Sequence, residues 1–95
     1  MQNEPVLEID KDGTKWWYLN GELHRTDGPA IERLNGNKYW YLNGKRHRVD
    51  GPAIEYSNGN KYWCLDGVRY TFNEWLELTP ISSQEKVKLR LMYAE

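Results

Sequence analysis

Two short clusters in this 95-residue chain carry side chains suited to acid–base and phosphodiester chemistry: His24, Arg25 and Asp27, then, 23 residues on, His47, Arg48 and Asp50. An imidazole can move a proton near neutral pH, a guanidinium can hold a phosphoryl oxygen, and a carboxylate can orient the imidazole. The same residue types at the same spacing also suit a repeated structural corner, in which Asp caps the turn and Arg pairs with Glu32 or Glu55 of a neighbouring unit. Repetition at the period of an array favours the corner, because every unit needs it. The expectation is that His24, Arg25, Asp27, His47, Arg48 and Asp50 are structural and that the chain has no catalytic set.

A shared metal site is disfavoured by distance. With two strands per unit at about 4.8 Å each, His24 and His47 stand roughly 9–10 Å apart, whereas zinc ligands, each about 2 Å from the metal, lie within about 4 Å of one another. No metal and no cofactor are expected. Cys64 occupies the position of Tyr18 and Tyr41, which reads as a small apolar filler. Lys45-Arg46-His47-Arg48 is basic, but the first unit has Glu22-Leu23-His24-Arg25 in its place, so the charge belongs to one unit and reads as a solvated loop. No glycine-rich phosphate loop opens a helix, and no nucleophile elbow is visible.

These clusters sit in a chain that repeats itself. Trp40-Tyr41-Leu42-Asn43-Gly44 repeats Trp17-Tyr18-Leu19-Asn20-Gly21, His47 to Glu55 repeats His24 to Glu32, and a third unit opens at Gly59-Asn60-Lys61-Tyr62-Trp63 before losing the corner. A period of 23 residues implies a stacked array in which neighbours complete one another's core. The spacing divides one domain into a degenerate N-terminal cap (1–12), repeat 1 (13–35), repeat 2 (36–58), a partial repeat 3 (59–71) and a C-terminal cap (72–95).

Within a unit, Lys38 to Leu42 is aromatic-rich and ends at Asn43-Gly44, a strong signal for a tight turn between antiparallel strands. Asp50-Gly51-Pro52 makes a sharp corner. Ala53 to Tyr56 alternates as a second short strand. The predicted fold is therefore mainly β, a single antiparallel meander of 23-residue repeats with a short helical cap. Alternation puts Trp17 with Leu19, Trp40 with Leu42 and Trp63 with Leu65 on a core face joined by Ile31 and Ile54. Trp16, Tyr18, Tyr39, Tyr41, Tyr62 and Cys64 fall on the opposite face. Thr71-Phe72-Asn73-Glu74 is a capping box opening a helix that Thr79-Pro80 stops; Ser82 to Glu85 is another, opening a helix to Ala94, although Val87 to Leu91 alternates as a strand would. Trp75, Leu78, Val87, Leu91 and Met92 are expected to cover the last strand.

Thirteen basic against fourteen acidic residues leave a net charge of −1, with no overall field drawing the chain to nucleic acid or anionic lipid. One cysteine makes no intramolecular disulfide, no apolar run is long enough to span a membrane, and Met1 to Pro5 lacks the features of a signal peptide. A cytoplasmic protein is expected. Twelve of the thirteen aromatics are Trp or Tyr, types favoured at interfaces.

The W/Y-Y-x-N-G repeat resembles the MORN (membrane occupation and recognition nexus) class, and with H-R-x-D-G-P-A it is more similar to bacterial and viral variants of that class. With the Phe72-Asn73-Glu74-Trp75-Leu76 tail, it resembles small proteins of tailed phages and giant viruses. That resemblance implies an interaction scaffold, and a phage protein acting in the host cytoplasm on a host defence or toxin component. The ordinary lipid-binding role of the class is not implied, because the corner departs from the ordinary pattern. The expected function is a non-enzymatic protein-binding module using Trp16, Tyr18, Tyr39, Tyr41, Tyr62, Arg46 and Arg48, with no membrane insertion. A homodimer through the same face is compatible with the sequence. Two other readings stay open: a nucleotide or small-molecule sponge in which aromatics stack a base and Arg25, Arg46 or Arg48 holds phosphate, and a hydrolase or nuclease using His24 and His47.

Overall fold

A computed structural model describes residues 3–93. The expectations for Met1, Gln2, Ala94 and Glu95 fall outside the described residues. The chain is mainly β, with a large antiparallel sheet, a small two-stranded sheet and two C-terminal helices. The strands are β1 (Val6–Ile9), β2 (Lys15–Leu19), β3 (Glu22–Leu23), β4 (Ile31–Glu32), β5 (Lys38–Tyr39), β6 (Tyr41–Leu42), β7 (Lys45–Arg46), β8 (Ile54–Glu55), β9 (Lys61–Leu65) and β10 (Val68–Tyr70). The helices are α1 (Phe72–Leu78) and α2 (Ser83–Tyr93). The large sheet runs β1-β2-β4-β5-β8-β9-β10, with β3 branching from β2, while β6 pairs with β7.

Each complete unit has three legs where the sequence suggested two strands. The first and second legs form the hairpin β2/β3 in repeat 1 and β6/β7 in repeat 2; β9/β10 repeats it in the partial unit. The third leg, β4 or β8, carries the sheet onward to the next unit. The hairpin turns need left-handed backbone at both central residues, and Asn43 and Gly44 have φ of 50° and 78°. Asn tolerates that conformation and Gly adopts it without a Cβ clash, which is why Asn-Gly recurs here.

The register fixes two faces. Lys15, Glu32, Lys38, Glu55 and Lys61 stand opposite one another in successive pairs, as do Trp16, Ile31, Tyr39, Ile54 and Tyr62. The first row alternates in charge across four strand boundaries, a pattern that favours this register over a one-residue slip. The second row places Ile31 and Ile54 with Trp16, Tyr39 and Tyr62, so the expectation that they join Trp17 and Leu19 is corrected. The short third leg meets its neighbours one residue out of the assumed phase, and that flips the isoleucines to the other face.

The core is concentrated at the C-terminal end. Trp63, Trp75, Leu76 and Leu89 form a buried cluster, with Leu65, Tyr70, Phe72, Ile81 and Tyr93 packed against it. Thr71 caps α1 in a full capping box with Glu74, and Ser82 Oγ accepts the Glu85 N–H at 3.1 Å at the start of α2. The segment that alternates in sequence is thus helical. Its phase differs from the expected cover: Leu89 is buried and Lys86 and Tyr93 half-buried, an i, i+3, i+7 stripe. Leu78, Val87, Leu91 and Met92 are exposed and do not cover the last strand. No described helix is long and apolar enough to cross a membrane.

Candidate functional site

The two corners are built alike. Arg25 lies 4.2 Å over the Trp17 ring, and Arg48 lies 3.9 Å over Trp40. Arg25 donates from Nε to Asp27 at 2.9 Å and from one terminal nitrogen to Pro29 O at 3.1 Å and Glu32 Oε1 at 2.9 Å. Arg48 does the same with Asp50 at 3.0 Å and Pro52 O at 3.1 Å, and it stands 3.7 Å from Glu55. Each arginine is paired within its own unit, which corrects the expected pairing with a neighbour's glutamate. The glycine of the motif follows from the same packing: a Cβ on Gly51 would come within 2.6 Å of the Arg48 guanidinium carbon, and one on Gly28 within 2.9 Å of that of Arg25.

The histidines tie one unit to the next. His24 Nδ1 accepts the Asn43 N–H at 3.0 Å, and His47 Nδ1 accepts the Asp66 N–H at 2.9 Å. Both imidazoles therefore use Nδ1 as a lone-pair acceptor for a hairpin turn. Parallel backbone bonds run beside them, from Arg25 N to Tyr41 O and from Arg48 N to Cys64 O. Each of the six corner residues thus has a hydrogen-bond partner in its own corner or in the next hairpin turn. Among the described residues, no group of three or more His, Cys, Asp or Glu side chains is placed to hold a metal ion.

The face opposite the corners' tryptophans holds the second candidate set. Trp16, Tyr39 and Tyr62 are half-buried on it, and the residues after the third legs complete the row. Arg33 lies 5.6 Å from the Trp16 ring and 6.0 Å from Tyr39. Tyr56, its counterpart one period later, meets Tyr39 and Tyr62 edge-on at 6.0 and 5.6 Å. Arg69 covers Tyr62 at 3.9 Å. Sequence reasoning missed Arg33, Tyr56 and Arg69, although alternation with Ile31 and Ile54 and the pairing of Arg69 with Cys64 across the hairpin could have found them.

Tyr18 shares this face by alternation with Trp16, and Tyr41 stands across from Arg46 in the small sheet. Both tyrosines are half-buried and Arg46 is exposed. Arg48 is withdrawn into its corner, with a side chain only 22% exposed, so the structure does not bring it to the aromatic row. Cys64, on this face by alternation with Tyr62, is fully buried, as the small apolar filler expected of it. Its burial raises the thiol pKa against the opposing pull of Arg46 and Arg69. Asp10 fixes the row's end by accepting from Trp16 Nε1 at 2.9 Å, and that bond, with the Thr14 and Asp12 amides and the Arg33 charge, holds its carboxyl below the ordinary range.

From β2 to β10 the described strand positions of this face carry no carboxylate, whereas Glu32 and Glu55 point to the other side. A chain of nearly zero net charge thus presents one face bearing arginine and aromatic rings. No family model matches the chain, and neither a curated protein nor a solved structure is significantly similar to it.

Proposed function

We propose that this chain is a non-enzymatic protein-binding module whose aromatic sheet face docks a partner with an acidic surface. The observation that carries the reading is the row Trp16, Arg33, Tyr39, Tyr56, Tyr62 and Arg69, in which two guanidinium groups lie against aromatic rings and the carboxylates Glu8 and Asp10 stand only at the Trp16 end. Tyr, Trp and Arg are the residues that most often dominate interface energetics, because they bring large contact area at small entropic cost. The engaged Nδ1 atoms of His24 and His47 and the pairing of Arg25 and Arg48 inside their own corners favour binding over catalysis. The sequence resemblance extends the proposal to a phage-encoded inhibitor or adaptor acting on a host protein in the host cytoplasm.

A nucleotide or single-stranded nucleic acid is the second reading, favoured by the same stacking of arginine on tyrosine. Arg33, Arg46 and Arg69 would hold phosphate in that case, in place of Arg25 and Arg48. The test is capture from host lysate with the tagged chain beside Arg33→Glu/Arg69→Glu, both positions being exposed. One protein retained by the native chain and lost from a variant of unchanged melting temperature supports the module. Equal capture by both excludes this face, and a nuclease-sensitive capture transfers the reading to nucleic acid.

A further inference from the structure

The two ends of repeat 2 differ in one respect. Over its corner, α1 lays Trp75, which is fully buried, 4.6 Å from Trp63 and donates its indole N–H to Arg48 O at 3.0 Å. One helical turn later Thr79 donates its hydroxyl to Val49 O at 2.6 Å. Leu65, Tyr70 and Phe72 complete that seat.

Over the corner of repeat 1 the corner of repeat 2 stands where α1 stands one unit on, with Arg48 3.9 Å over the Trp40 ring, but it leaves part of the space unfilled. A cleft of about 450 Å³ opens there, lined by Arg25, Thr26, Trp40, Leu42, His47 and Val49 among others. Moved by one period, these residues become Arg48, Val49, Trp63, Leu65, Tyr70 and Phe72, which are the residues that hold Trp75 and Thr79. No described residue donates to Arg25 O or Thr26 O, the counterparts of the carbonyls that α1 binds. The chain supplies no indole of its own: the counterpart of Trp75 is Pro52, which is buried in the second corner. The volume lies within the roughly 300–1,000 Å³ of pockets that enclose small organic groups.

We propose that this cleft is a second copy of the Trp75 seat and docks a helical segment of a partner carrying tryptophan with a serine or threonine four residues later. The indole enters beside Trp40 and the Arg48 guanidinium that covers it and donates to Arg25 O, and the hydroxyl donates to Thr26 O, as α1 does one unit on. Recognition follows the helix-in-groove mode, with an aromatic anchor and a polar contact one turn away. The site lies on the opposite face of the sheet from the arginine–tyrosine row and does not depend on it.

The probe is a peptide copying Thr71 to Pro80, stapled across the positions of the exposed Asn73 and Glu77 because short helices are marginal alone in water. It is titrated into the isotope-labelled full chain and followed by NMR. The expected result is saturable shifts at the Arg25 and Thr26 amides and the Trp40 indole. The same peptide with Trp75→Ala should bind at least about tenfold more weakly, and Thr26→Trp in the protein, at an exposed position, should abolish binding. Arg33→Glu/Arg69→Glu should leave it unchanged. Absence of saturable shifts, survival of binding in Thr26→Trp, or shifts centred on Arg48, Val49 and Trp63, meaning exchange with the resident α1, would overturn the proposal.

Discussion

His47 accepts the backbone N–H of Asp66 at 2.9 Å, 19 residues ahead and in the following unit, and His24 holds Asn43 in the same way. The histidine of each corner is thus an inter-unit clamp on the next hairpin turn. Leu23 O and Arg46 O reinforce it by accepting from Gly44 and Gly67 at 2.9 Å. Removing the ring leaves a turn N–H unpaired beside a half-buried gap. His47→Ala should cost about 1–2 kcal/mol, read as a lower urea midpoint at unchanged slope. Repeat logic adds that His24→Ala, acting on a different pair of units, should be nearly additive with it.

Arg48→Lys tests the corner separately. Lysine keeps the charge but loses the planar stack on Trp40 and the fork that reaches Asp50 and Pro52 O together. The expected loss is about 1–2 kcal/mol by the scale of one cation–π contact and one charge-assisted hydrogen bond. Arg48→Met, which refills the space over Trp40, should recover little, because Pro52 O and Glu55 would keep no partner. Chemical denaturation of the three proteins distinguishes the two contributions.

The legible parts of the fold were those that recur or follow short-range rules. Asn43-Gly44 gave its turn from backbone preference alone, and Thr71 with Glu74 gave its helix start from two reciprocal hydrogen bonds. The facing of Ile31 and Ile54 was not legible, since it depends on how a two-residue leg enters the ladder after an irregular corner. The own-unit pairing of Arg25 with Glu32 likewise needs the three-dimensional path of the Gly28-Pro29 turn. Trp75 was recognised as cover, but its seat on Arg48 O became visible only once α1 was seen to stand where the third corner is missing. The arginines of the candidate face do not stand out by repetition, because Arg33 and Arg69 occupy non-equivalent positions in the repeat, and only their facing with Ile31 and Cys64 points to them.

Cys64 replaces the tyrosine of the two preceding units because its site is closed. It is fully buried, and desolvation raises its thiol pKa, so the native protein should resist alkylation by iodoacetamide at mildly alkaline pH while the urea-unfolded chain reacts fully. Restoring the repeat consensus with Cys64→Tyr should destabilise by about 1–3 kcal/mol through overpacking. A stable tyrosine variant, or rapid labelling of the native thiol, would contradict this account of the site.

Acid should loosen the C-terminal cap through Glu74. Its carboxylate accepts from Thr71 N at 2.9 Å while Glu74 N donates back to Thr71 Oγ1 at 3.2 Å, and the Thr71 hydrogen bonds hold the Glu74 pKa below its ordinary value. A folded-state value below the unfolded one contributes stability that is present above the unfolded carboxylate range and is lost as pH falls through the folded value. Glu74→Gln retains a side-chain acceptor for the box but does not titrate. Melting temperatures measured from neutral pH down through the carboxylate range should therefore converge: the native chain is more stable at neutral pH, and the difference disappears in acid. Asp10 has the same sign through its Trp16 bond, so Asp10→Asn should flatten the remaining acid limb further, and a native curve parallel to both variants would show that neither carboxylate is linked to folding.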